Sequence, residues 1–188
     1  MQDLPNSLAV MGSSSIGLEL AQAMARLGVE VTLFDNGNRL GGVRCDKVHA
    51  ALKAAIEDDL CLFLNVELKP SAADAGIRIE LSGDSSGDAT FDYALVATGR
   101  PPNLDSLNLV ATGLALDDNG VPEHGRETMQ CGDSPIFLAS DAGHDLPAPS
   151  RSLHYGAIAG RNAVAFPASI KADRFTAFGI TLTSPPVS

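Results

Sequence analysis

An α/β fold with a Rossmann-like parallel sheet is predicted from three observations. Short apolar runs alternate with runs whose apolar residues fall at helical spacing, beginning with Ser7–Met11 and then Ile16–Leu27. A glycine-bearing turn, GSSSIG from Gly12 to Gly17, joins those two. A strand, a helix and another strand then succeed one another without a long interruption, which is the winding of a parallel sheet.

The elements are justified in chain order. Leu18, Leu20, Ala21, Met24 and Leu27 give the first helix its period, and Gly28 stands where a left-handed C-terminal cap is expected. Val29–Phe34 is the second strand. After the loop DNGNRLGG, a second helix is predicted over Asp46–Asp59, leading into a third buried strand over Cys61–Val66. Beyond Pro70 the pattern changes to a small antiparallel meander, with alternation in Ile77–Leu81 and Thr90–Tyr93 around the turn SGDSSGD. Tyr93–Ala97 reads as a buried strand that two prolines in TGRPPN bring to an end.

Residues Leu104–Gly132 carry several Gly, Asp and Asn and no sustained period, so a surface path is predicted before a strand at Ile136–Ala139. A loop over Pro147–Ser152 and a helix over His154–Phe166 complete a partial second α/β segment. Phe175–Thr183 alternates as a strand without an evident partner before SPPVS.

Composition excludes several classes of function. The 188 residues, 45% hydrophobic, suit one or two small domains with a real core. Thirteen basic residues against 23 acidic ones give a formal charge of -10, and no basic cluster exceeds a pair, so no nucleic-acid partner is expected. No apolar run approaches the roughly 20 residues that cross a bilayer, and MQDLPNSLAV lacks the features of a signal peptide, so no membrane partner and a cytoplasmic location are expected. Cys45, Cys61 and Cys131 are too far apart for a disulfide framework or a CxxC pair. His49, His124, His144 and His154 lack ligand spacing, so no metal site is expected.

Gly12, Ser14 and Gly17 occupy the three positions of a dinucleotide-binding fingerprint. Glycine at the first permits a tight turn. The second is where backbone approaches pyrophosphate, and the third lets the helix pack closely while its amino end faces the phosphates. Ser14 replaces the middle glycine and brings a Cβ that crowds the diphosphate and a hydroxyl able to donate to it. Asp35 ends the second strand, 18 residues after Gly17, where an acid accepts from a ribose hydroxyl and repels a 2′-phosphate. The nucleotide expected is therefore NAD(H) rather than its phosphorylated form. A plain glycine turn in an α/β protein is the competing reading.

The segments AVMGSSSIGLELAQAMARLGVEVTLFD (9–35), DYALVATGRPPN (92–103) and SPIFLASDAG (134–143), in this order, resemble the flavin-dependent pyridine nucleotide-disulfide oxidoreductases, most closely the dihydrolipoamide dehydrogenase and mercuric reductase branch. The resemblance implies an NAD-binding domain over 1–125, a returning segment of the FAD-binding domain over 126–168, and the truncated start of a dimerisation domain over 169–188. It implies that Gly12, Ser13, Ser14, Ser15, Ile16 and Gly17 form the pyrophosphate turn, that Asp35 accepts from the adenosine ribose, and that Glu19 lies near the nicotinamide. A solvated glutamate in the first helical turn is the simpler reading of Glu19 alone. Gly99 would lie under the NAD, and Arg100 is either a phosphate or carboxylate partner or a solvated loop residue. Asp141 would accept from the FAD ribitol, and Leu153 and His154 would lead into a helix aimed at the flavin. The helix after His154 looks about one turn short for the family, a turn being about 3.6 residues.

The family's full reaction also needs an FAD fingerprint, a redox cysteine pair, and a histidine and glutamate from the partner of a homodimer. None is found in these residues. The chain by itself is therefore expected to bind a nucleotide, to carry no catalytic residue and to turn over no disulfide. A non-catalytic nucleotide-binding or scaffold module is the alternative. A short-chain dehydrogenase is disfavoured because Ala97 and Ala159, four residues after Tyr93 and Tyr155, stand where a lysine is required.

Overall fold

The computed structural model describes residues 3–139, 142–143, 149–171 and 179–188. The chain forms two compact units, Met1–Gly99 with Ile180–Ser188, and Arg100–Gly179.

The first unit winds as β1 (Ser7–Met11), α1 (Ser15–Arg26), β2 (Glu30–Phe34), α2 (Asp46–Glu57) and β3 (Cys61–Phe63), then a meander β4 (Val66–Ala72), β5 (Ile77–Gly83) and β6 (Gly87–Phe91), and finally β7 (Tyr93–Val96). Four strands form a parallel sheet in the order β3-β2-β1-β7. Met11 is level with Phe34 on one side and Val96 on the other, so three carboxyl ends finish together. That shared edge is where the loops of an open α/β sheet gather a site.

β1 is apolar and buried from Leu8 to Met11 because both faces of the sheet are covered. Leu8 and Val10 join a core with Leu18, Ala21, Leu33, Leu52 and Ile56, whereas Ala9 and Met11 join Phe34, Val66, Ile79 and Phe91 on the other face. Along α1, Leu18 and Ala21 are buried and Met24 packs against them, while Leu20 and Leu27 are exposed. Gly28 follows at φ +92, the left-handed stop that its position predicts.

The meander differs from expectation at its start. Val66 does not extend β3: Asn65 turns at φ +54, and Val66 begins β4, an edge strand that includes Pro70. Proline is tolerated there because an edge strand leaves one side without a ladder, and Pro70 pairs in register with Ile79. β3 is correspondingly short and partly exposed, not a buried strand.

In the second unit, two short 3₁₀ turns (Asp105–Leu107 and Leu109–Thr112) precede α3 (Pro149–Ala165). The strand predicted at Ile136–Ala139 is only an isolated bridge between Phe137 and Gln130, because Met129 at φ +61 breaks the extension of its neighbour. α3 begins earlier than the predicted His154 and runs for 17 residues. Proline at a helix start lacks only an N–H that has no partner there anyway. Asn162 is fully buried, donating to the carbonyls of Thr128 (2.8 Å) and Ile170 (3.0 Å) and accepting from the Ile170 N–H (2.7 Å).

At the end of the chain, 172–178 lie outside the described residues, and so does that part of the predicted Phe175–Thr183 strand. The final residues pair with one another: Thr181 and Val187 exchange both backbone hydrogen bonds, at 2.8 and 3.0 Å. A tight turn thus stands where a strand without a partner was predicted, held by the Thr183 hydroxyl donating to the Pro185 carbonyl. No helix among the described residues is long and apolar enough to cross a membrane.

Candidate functional site

The Gly12–Gly17 turn runs from the end of β1 to the start of α1, against the end of β7. Gly12 has φ +100, and a Cβ there would stand 2.6 Å from the Ala97 carbonyl oxygen. A Cβ on Gly17 would stand 2.1 Å from the Gly12 carbonyl oxygen and 3.2 Å from the Ala97 Cβ. Both positions therefore exclude any side chain. Neither requirement depends on a ligand, so these glycines are explained first by helix, turn and strand meeting closely.

Ser14 is the N-cap of α1, at φ -59. Its hydroxyl accepts from the Gly17 N–H (3.3 Å) and donates to the Ala97 carbonyl (3.0 Å). The side chain at the fingerprint's middle position is thus turned into the protein's own framework and strengthens the helix start. The N–H groups of Ser15 and Ile16 open the helix, where geometry supplies no intrahelical acceptor. Ser15 and Ile16 are both exposed.

Asp35 follows β2 and is half-buried. Its Oδ2 accepts from the Ser13 N–H (2.5 Å) and its Oδ1 from the Gly37 N–H (2.7 Å). The carboxylate therefore ties the turn after β1 to the loop after β2. The Gly41 N–H donates to the Ser13 carbonyl (2.9 Å), so that loop returns to the same turn. Gly99, at φ +133, has no atom within 4 Å of a Cβ position, which leaves open space beside the end of β7.

Glu19, in the second turn of α1, is engaged rather than solvated: its Oε1 accepts from the Leu182 N–H (2.7 Å). The Ser15 and Thr181 hydroxyls are 2.8 Å apart. Gln22, almost fully buried, exchanges hydrogen bonds with the backbone of Ser184 and donates to Asp59. Ser15, Glu19 and Gln22 lie on one stripe of α1, at three- and four-residue intervals. No sequence signal identified Gln22, because one polar residue on an amphipathic helix reads as solvated.

The structure thus brings Gly12, Ser13, Ser14, Ser15, Ile16, Gly17, Glu19, Asp35 and Gly99 together in the first unit. Arg100, Leu153 and His154 belong to the second. Arg100 and Leu153 are exposed, and the His154 ring lies 5.7 Å from that of Tyr155. Asp141 lies outside the described residues. The thiols of Cys45 and Cys61 are exposed, and that of Cys131 is buried. Among the described residues no three His, Cys, Asp or Glu side chains form a metal cluster.

Comparison with known proteins is consistent across sequence and structure. Residues 1–158 match the family profile described as pyridine nucleotide-disulphide oxidoreductase. The chain is 30% identical over 169 residues to the dihydrolipoyl dehydrogenase of Bacillus subtilis (strain 168), covering 87% of this chain and 35% of that protein. It is also 30% identical over 192 residues to a mercuric reductase of Staphylococcus aureus, covering 100% of this chain and 35% of that protein. The chain therefore spans about a third of the length of these relatives. Among solved structures, LpdA from Mycobacterium tuberculosis superposes with a TM-score of 0.84 at 24% identity, over 99% of this chain and 40% of that one.

Proposed function

The chain belongs to the pyridine nucleotide-disulphide oxidoreductase family, in the dihydrolipoyl dehydrogenase and mercuric reductase branch, and on that premise we propose that it is the NAD(H)-binding part of a flavoprotein disulfide reductase. The observation that carries the reading is the Asp35 carboxylate, held by the Ser13 and Gly37 N–H groups at the edge of the glycine turn.

The residues fit a dinucleotide. Gly12 and Gly17 keep side chains out of the turn, and the Ser15 and Ile16 N–H groups, with the amino end of α1, suit a pyrophosphate. Each oxygen of Asp35 has a second lone pair for a ribose hydroxyl. The open space at Gly99 and the Glu19 carboxylate belong to the nicotinamide side of this reading, with Arg100 as a phosphate partner. NAD(H), when bound, supplies the hydride exchanged with FAD. Asp141, Leu153 and His154 belong to the flavin side of the proposal, as does the division into 1–125, 126–168 and 169–188. Homodimerisation of the complete enzyme and a cytoplasmic location are part of the same reading.

Calorimetric titration of the chain with NADH, NADPH and FAD tests it. Binding of NADH in preference to NADPH, with no uptake of FAD by this portion alone, is the expected result. Absence of NADH binding overturns the reading.

A further inference from the structure

The loop after β2 is pinned to the glycine turn at two points, by the Ser13 N–H donating to Asp35 Oδ2 and by the Gly41 N–H donating to the Ser13 carbonyl. Leu40, between the pins, is completely buried. Arg39, its neighbour, therefore has a backbone fixed beside the turn and a side chain that is 40% exposed. That side chain is turned toward α2. Its Nη2 pairs with Asp46 Oδ1 at 2.5 Å, and its Nη1 donates to the carbonyls of Val43 (3.4 Å) and Arg44 (3.3 Å). Asp46 is the first residue of α2, and its own side chain is 85% exposed, so solvent rather than packing surrounds the pair.

We infer that Arg39 is a cofactor-selectivity residue held out of use: Asp46 keeps its guanidinium from the adenosine end of the site, where it would otherwise pair with a 2′-phosphate. This rests on the nucleotide reading above and extends it. Asp35 disfavours a 2′-phosphate by charge, and the Arg39–Asp46 pair withholds the cation that would accept one. A guanidinium presents a fork of donors suited to phosphate oxygens, and the bond to Asp46 keeps that fork engaged away from the turn. The Arg39 hydrogen bond, and then its charge, lower the Asp46 carboxyl from its ordinary value of 3.8, so Asp46 is ionised at neutral pH.

The test is titration of the full chain with NADH and NADPH, comparing the unsubstituted protein with Asp46→Asn, Arg39→Ala and the double substitution. The asparagine removes the charge and keeps the side-chain shape at the start of α2. Asp46→Asn is expected to tighten NADPH by roughly two- to fivefold, the size of one exposed charge pair, with NADH unchanged. Arg39→Ala alone leaves NADPH binding unchanged, because the arginine is not in use, and it abolishes the gain in the double substitution. Raising the salt concentration also erases the gain. An unchanged ratio of NADPH to NADH affinity in Asp46→Asn overturns the proposal, as does a gain that survives loss of Arg39 or a loss of NADPH binding in Arg39→Ala alone. If NADH binds none of these proteins while circular dichroism shows them folded, the nucleotide reading itself fails and this inference falls with it.

Discussion

The backbone N–H of Ser13 donates to Oδ2 of Asp35 at 2.5 Å, joining the turn after β1 to the end of β2 across 22 residues of sequence. Asp35 thereby has a structural duty before any ligand arrives. Asp35→Ala leaves the Ser13 N–H, on a buried residue, without its acceptor, at an expected loss of about 1–3 kcal/mol. Thermal unfolding and an NADH titration should fall together. Asp35→Asn keeps one acceptor oxygen and should be intermediate in both. Loss of NADH affinity with unchanged stability would show that the Ser13 bond contributes nothing.

Ser14 is a cap whose hydroxyl is already committed to Gly17 and Ala97. Ser14→Ala should destabilise the chain by about 1 kcal/mol, while NADH affinity stays within about twofold. A tenfold loss of affinity at unchanged stability would mean that the hydroxyl turns to contact phosphate.

Gln22 fastens the terminal turn to α1, since its Oε1 accepts from the Ser184 N–H at 2.7 Å and its Nε2 donates to Asp59 at 2.8 Å. Gln22→Ala removes these bonds, at about 1 kcal/mol each, while Asp59 keeps its ion pair with Arg26. Amide hydrogen exchange at Ser184 should accelerate, with that at Leu182, held by Glu19, accelerating less. Unchanged exchange at Ser184 would show that the turn is held by other contacts, such as the packing of Val187 on the core.

Cys131 is fully buried, and burial pushes its thiol above the ordinary value of 9.0. The folded state therefore holds this proton more tightly than the unfolded chain does. Stability from this group is fully present below about pH 9 and is lost as pH rises through the raised folded value. A thiol reagent at pH 8 should label the exposed Cys45 and Cys61 at once and Cys131 only on unfolding. Rapid labelling of all three thiols in the folded protein would contradict this.

How much was legible in the sequence depends on the range of the deciding forces. The winding β1, α1, β2 and α2 was legible because each element repeats an apolar period within a dozen residues, and Gly12, Gly17 and Gly28 mark the turns locally. β4 was not, because Pro70 argues against a strand until its place at a sheet edge is known. The short bridge at Phe137 looks like a strand in sequence, since an apolar run cannot announce that its neighbour turns at Met129.

By itself the sequence determined an α/β chain with a glycine turn and an acid at the end of β2, because local period and backbone permissiveness are written residue by residue. Only the tertiary structure decided what the polar side chains do. Asp35 meets Ser13, Ser14 meets Ala97, Glu19 meets Leu182, and Arg39 is drawn to Asp46. Three of these four partners lie 22 or more residues away in the chain, and a hydrogen bond acts over about 3 Å. Such pairs exist only after packing has brought the strand ends, the helix and the terminal turn side by side.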